Sequence, residues 1–163
     1  MKLTHFNNQA RAQMVDVSEK DITTRVAQAQ AIIELSRETL EYILAQKIKK
    51  GDVFAVAQVA GIQAAKQTHT LIPMCHPLLL THIDLAFYPN EETNTIKIVS
   101  TVKLKGNTGV EMEALTAVTI ASLTVYDMCK SMDKAMVIRD VHLIKKSGGQ
   151  SGEFHFSSKT KEA

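Results

Sequence analysis

Tryptophan is absent from this 163-residue chain and aromatic residues make up 5% of it, which leaves few platforms for stacking nucleic-acid bases. Cysteine occurs twice, as Cys75 and Cys129, and neither belongs to a Cys-x-x-Cys pair. A disulfide-dense secreted scaffold is thereby excluded, and a reduced cytoplasm is the expected location. Long hydrophobic runs are lacking too. The longest, Leu71 to Leu80, is too short to span a bilayer and is broken by Pro73, His76 and Pro77. The opening residues carry no apolar signal segment, so neither targeting nor anchoring is expected. Charge of one sign is also missing: 19 Lys+Arg against 17 Asp+Glu leave a net +2, and bulk charge names no partner.

What is present is globular. With 45% hydrophobic and 22% charged residues, the composition argues against disorder and low complexity. The length suits a single domain over 1–163, with flexible ends at about 1–15 and 154–163. From Arg25 to Leu35 the chain alternates, with Ala27, Ala29, Ala31, Ile33 and Leu35 on one side and Gln28, Gln30 and Glu34 on the other, which predicts a strand. Leu40, Ile43 and Leu44 at helical spacing predict a short amphipathic helix within Ser36 to Lys47. Asp52 caps a predicted helix from Val53 to about Lys66, after Gly51 breaks the chain. A hairpin follows, carried by Ile83, Leu85 and Phe87, a turn at Pro89 to Asn94, and Ile96, Ile98, Val102 and Leu104. Val110 to about Ser131 predicts a long helix, and Met136 to Lys145 a last strand. Apart from the extra short helix, the order is βαββαβ. This predicts an α+β, ferredoxin-like fold: an antiparallel sheet with helices packed on one face.

Neither Val53 to Ala65 nor Ala114 to Tyr126 contains a charged residue. A helix without a charged face is normally covered on most of its circumference, so both helices point to an oligomer whose interfaces cover them. Charges bracket the long helix, with Glu111 and Glu113 at its start and Asp127 and Lys130 near its end. Glu113 and Asp127 are separated by roughly 21 Å at 1.5 Å per residue and cannot share a small pocket within one chain. Either one of them is structural, as a carboxylate favouring the helix N-terminal dipole would be, or a second subunit joins the two ends.

Several groups are candidates for chemistry. In Pro73-Met74-Cys75-His76-Pro77, a metal site is poorly supported, because adjacent Cys and His rarely reach one ion. Cys75 lacks an identifiable base and reads as a packed thiol, whereas the His76 imidazole suits proton transfer or substrate hydrogen bonding. Lys145-Lys146-Ser147-Gly148-Gly149-Gln150-Ser151-Gly152 has the composition of a phosphate cradle, though it is not a Walker A sequence; a mobile basic loop is the alternative. Asp127 and Lys130, one turn apart, are either a surface ion pair or a general acid and base held at an interface.

Taken together, Met-Val-Asp-Val-Ser at 14–18, Lys-Gly-Asp-Val-Phe at 50–54 and Ala-Gly-Ile-Gln-Ala-Ala-Lys at 60–66 form a distinctive set. Ile-Pro-Met-Cys-His-Pro-Leu at 72–78, Gly-Val-Glu-Met-Glu-Ala-Leu-Thr at 109–116, Tyr-Asp-Met-Cys-Lys at 126–130 and Lys-Ser-Gly-Gly-Gln-Ser-Gly at 146–152 complete it. The set resembles the cyclic pyranopterin monophosphate synthase family of molybdenum-cofactor biosynthesis, along nearly the whole chain. The resemblance implies a ferredoxin-like subunit in a homohexamer, a trimer of dimers with active sites at subunit interfaces. It implies a lyase that rearranges a cyclised dihydro-GTP, supplied by an upstream radical enzyme, into cyclic pyranopterin monophosphate with loss of pyrophosphate. By motif, Asp127 and Lys130 match the catalytic aspartate and lysine. Met74, Cys75 and His76, with Met112 and Glu113, match substrate-binding segments, and Lys50, Lys66 and Lys146 match pocket lysines. His76 is expected to share the proton transfers. No metal or organic cofactor is implied, and the only partners expected are the nucleotide-derived substrate, copies of this chain and a functional link to the radical enzyme. Nucleic acid and membrane are not expected.

The chain departs from the family pattern in two places. Met74 replaces a frequent Leu, and Lys134-Ala135-Met136 replaces a common Lys-Asp-Met. A reading in another class is a non-catalytic ferredoxin-like sensor that binds a nucleotide or amino acid at its interface and leaves it unchanged. A nucleic-acid binder comes third, lacking exposed aromatics and a continuous basic stripe.

Overall fold

Alternating alanine and glutamine build the centre of the fold. In a computed structural model that describes residue 9, residues 11–149 and residues 152–157, the strand β1 spans Thr23–Glu34. Its side chains alternate between faces with period two, so Ala27, Ala29, Ala31 and Ile33 are at most 1% exposed while Gln28 and Gln30 stay half-buried opposite them. After β1 come α1 (Arg37–Leu44), α2 (Val53–Lys66), the single turn α3 (Thr68–Leu71), β2 (His82–Asn90) and β3 (Thr95–Gly106). Then follow α4 (Glu111–Cys129), β4 (Val137–Ser147) and β5 (Phe154–His155). Ser36 caps α1 by accepting from the Thr39 N–H, and Asp52 caps α2 by accepting from the Ala55 N–H.

The sheet order is β2-β3-β1-β4-β5 with every neighbouring pair antiparallel, so the fold is α+β and ferredoxin-like, as the element order predicts. Two elements are not predicted by periodicity. The four residues of α3 are too few to display a period, and β5 exists only because Phe154 and His155 pair with Lys146 and Lys145 of β4. Of the two ends expected to be flexible, residues 1–8, 10 and 158–163 lie outside the described residues; Phe154 and His155, also within that expectation, are strand.

The helices pack on one face, α4 over β1, β3 and β4 and α2 over β2. Small residues set the spacing: Ala114, Ala117, Val118, Ala121 and Val125 of α4 are fully buried. The two helices run antiparallel in contact, because Lys50, just before α2, reaches Asp127 at the far end of α4 while Gly61 meets Ala117. At Gly61 a Cβ would stand 2.9 Å from the Ala117 carbonyl oxygen and 2.5 Å from Leu85, so only glycine permits this approach. The uncharged helices remain incompletely covered in the single chain: Val56, Val59 and Leu123 are 44%, 68% and 50% exposed.

Candidate active site

The two ends of α4 carry two different groups of side chains. At its C-terminal end the Asp127 carboxylate receives Lys130 at 2.6 Å on one oxygen and Lys50 at 2.9 Å on the other. Lys50 also donates to the Asp127 backbone carbonyl at 2.8 Å. Hydrogen bonds and charge from Lys130 and then Lys50 hold the Asp127 carboxyl down at about 2, and Asp127 in turn raises Lys130. Both shifts run away from neutrality, so in the isolated chain the group is a fixed ion triad. All three side chains are about half exposed, and a second surface placed over them would desolvate them and oppose those shifts.

At the N-terminal end of α4, Glu113 is 4% exposed. Burial, with a smaller contribution from the neighbouring Glu111 charge, pushes its carboxyl up to about 7. Cys75 lies close enough for the Glu113 charge to add to burial in raising its thiol. Met74, Cys75, His76, Met112 and Glu113 line one cavity of about 560 Å³. The His76 Nε2 is 2.8 Å from the Val15 carbonyl oxygen; a carbonyl only accepts, so Nε2 carries the proton and donates.

A second cavity, of about 630 Å³, adjoins the first through Lys20, Thr108, Gly109 and Glu111, which line both. Its walls include Arg25, Lys146, Gly148 and Gly149, and Lys146 pairs with Glu111 at 2.9 Å. Gly148 and Gly149 adopt φ of +95° and +79° against Arg25, a backbone that other residues rarely take up. The described part of the basic glycine segment is thus folded onto β1, while Gln150 and Ser151 lie outside the described residues.

The residues singled out in the sequence therefore fall into two places. Lys50, Asp127 and Lys130 meet at one end of α4. Met74, Cys75, His76, Met112, Glu113 and Lys146 gather around adjoining cavities at the other, and Lys66 closes α2 at that same end. Within one chain the structure does not join the two groups, since Glu113 and Asp127 sit fourteen positions apart on one straight helix, about 21 Å.

Arg25, Lys20 and Asn107 escape a motif reading. A signal for Arg25 existed: it shares the odd-numbered face of β1 with Ala27, Ala29 and Ala31, where a charge has no place unless it is held. It is 8% exposed and donates to the Gly106 and Asp21 carbonyls.

The elevated Glu113 carboxyl has a consequence for stability. Unfolded, it ionises near 4.5, so between about 4.5 and 7 the folded chain holds the extra proton, and Glu113's contribution to stability falls as pH rises through that window. Glu113→Gln, neutral throughout, is expected to melt above the wild type at pH 8, with the gap closing by about pH 4.5. Equal melting temperatures at pH 8 would show that Glu113 is not a strained acid.

Comparison with known proteins gives the family. A model of the MoaC family matches residues 14–149. A cyclic pyranopterin monophosphate synthase of Brevibacillus brevis is 61% identical over 158 residues, covering 97% of this chain and 98% of the relative. Proteins of the same name from Clostridium perfringens and Listeria monocytogenes are 56% and 59% identical, over 95% and 93% of this chain and 98% and 94% of their own lengths. With the match spanning both ends of α4 and reaching Gly149 beyond β4, the chain belongs to the MoaC family.

Proposed function

We propose that this protein is a cyclic pyranopterin monophosphate synthase of molybdenum-cofactor biosynthesis. In this reading it converts 3′,8-cyclo-7,8-dihydroguanosine 5′-triphosphate into cyclic pyranopterin monophosphate and pyrophosphate. The observation that carries the reading is the Asp127 carboxylate held between Lys50 and Lys130, in a chain 61% identical to a relative of that name. The second cavity supports it. Arg25, Lys20 and Lys146 stand beside paired glycines and outnumber the Asp21 and Glu111 carboxylates of the same cavity, a lining that suits phosphates once the Lys146–Glu111 pair is opened.

The chemistry divides between the two ends. Closing the cyclic phosphate requires a ribose-derived hydroxyl to attack the α-phosphorus as the bond to the β-phosphate oxygen breaks. The hydroxyl proton passes to a base and pyrophosphate leaves, its charge balanced by the lysines and arginine. Opening the purine-derived ring and closing the pyrazine require proton transfers at nitrogen and oxygen. Glu113, brought near 7 by burial, is poised to exchange a proton at neutral pH. Asp127 and Lys130 act as base and acid once a second surface desolvates them, and His76, held through Nε2 to the Val15 carbonyl, shares the proton transfers through Nδ1. Cys75 serves as wall.

Since the two groups lie at opposite ends of α4, the working site combines the Glu113 end of one chain with the Asp127 end of another. The assembly we propose is a hexamer, a trimer of dimers, in which Val56, Val59 and Leu123 are covered. No helix among the described residues is long and apolar enough to cross a membrane, and the proposed location is the cytoplasm, with the upstream radical enzyme as supplier of substrate.

The decisive experiment incubates the purified chain with the cyclised nucleotide and assays pyrophosphate, together with a fluorescent pterin after oxidation. Both products are expected in equal amounts. Substrate bound reversibly and recovered unchanged would replace the enzyme by a small-ligand sensor.

A further inference from the structure

The segment leading into β1 lines the first cavity through Val15, Val17 and Lys20 and is tied to two other elements. Along it, Val15 and Val17 are half-buried and line that cavity, while Met14, Asp16 and Ser18 face solvent. The Asp16 carboxylate accepts from the Ser18 backbone N–H at 2.9 Å and hydroxyl at 2.7 Å, and the Lys20 N–H donates to the Val17 carbonyl. These bonds turn the segment so that Lys20 reaches the rim shared by both cavities.

Two long-range hydrogen bonds hold this turn in place. His76, from the loop after α3, donates to the Val15 carbonyl at 2.8 Å. Asn107, from the turn between β3 and α4, donates its side-chain amide to the Val17 carbonyl at 2.9 Å. The two ties arise on separate elements, and Asn107 itself lines the second cavity beside Thr108, a lining residue of both. The segment thereby forms a wall of the very space that Glu113, Cys75 and Met112 also line.

We propose that residues 15–20 are a strap closed over the substrate cavity, and that Asn107 is the positioning residue that holds it shut. Asn107 acts through the Val17 carbonyl on the placement of Val17 and Lys20. Its loss weakens substrate binding more than it slows the chemistry, because Asp127, Lys130 and Glu113 are untouched. The kinetic part of this inference rests on the synthase reading; the structural part does not.

Asn107→Asp tests it, since aspartate has nearly the same shape, lacks the donated N–H and sets a carboxylate against the Val17 carbonyl. Asn107→Ala removes the donor without adding charge, and Asn107→Gln restores it. By amide hydrogen exchange, peptides covering 14–20 are expected to exchange about tenfold faster in N107D and N107A, with β1 unchanged and N107Q close to wild type. In steady-state assays with the cyclised nucleotide, KM rises about tenfold in N107D while kcat stays within about twofold. Wild-type exchange of the strap in both N107D and N107A overturns the latch. Faster exchange with unchanged KM overturns its role in binding. Should the wild type show no turnover, the synthase reading falls and exchange alone judges the latch. Should N107D lose protection in β1 as well, N107A carries the comparison.

Discussion

Asp127→Asn is expected to lower turnover by a factor of about 10²–10⁴ and to leave the assembly and its melting temperature nearly unchanged. The two halves of this expectation have separate causes. Asparagine keeps the shape of the side chain and one oxygen for the lysines, so both ammonium groups keep a partner when a second surface covers them. Within the single chain, where the three side chains are about half exposed, such ion pairs contribute little to stability. What is lost is the negative charge that keeps both ammonium groups on the carboxylate oxygens, and with it the base. Pyrophosphate release in the steady state, alongside size-exclusion chromatography, reads both quantities. Turnover near that of the wild type removes Asp127 from the mechanism.

The second large effect comes from mixing two inactive proteins. Glu113→Ala and Asp127→Asn damage opposite ends of α4, which no single chain brings together. If each site takes its Glu113 end from one chain and its Asp127 end from a partner, a mixed dimer has one doubly damaged site and one intact site. Random exchange of equal amounts yields mixed dimers half the time, so activity recovers to about a quarter of wild type. Each variant alone stays near zero. Verified subunit exchange without recovery would confine the site to one chain, and one of the two carboxylates would then be structural.

Most of the architecture was legible because it is written in short-range periods. Alternation from Ala27 to Ile33 is visible in sequence and reappears as the buried face of β1; Asp52 is legible as a cap because the chemistry of capping is local. The end of β4 and the strand β5 were not, since Phe154 and His155 have no pattern of their own and depend on an edge supplied by Lys145 and Lys146. The site was legible in part. Asp127 and Lys130 are one turn apart, so their pairing follows from helix geometry. The third member, Lys50, is 77 positions away, and only the antiparallel packing of α2 on α4 around Gly61 delivers it.

The poise of the acids was hidden too. An Asp127–Lys130 pair reads in sequence either as a surface ion pair or as an acid and base held at an interface, and in the exposed triad of the single chain the displacement deepens ionisation. Glu113 reads in sequence either as a dipole-favouring carboxylate of a first turn or as one end of a shared site, and only its burial in the fold pushes its carboxyl up to about 7. From the sequence alone came the element order, the uncharged helices that call for partners, and the distance that keeps Glu113 from Asp127. Tertiary structure decided which side chains are dry, which lysine completes the triad, and that Val15 and Val17 are pinned by His76 and Asn107 across separations of 61 and 90 positions. The division has one physical reason: periodicity records a residue's own backbone, whereas solvation and charge depend on whatever chain, however distant in sequence, is packed beside it.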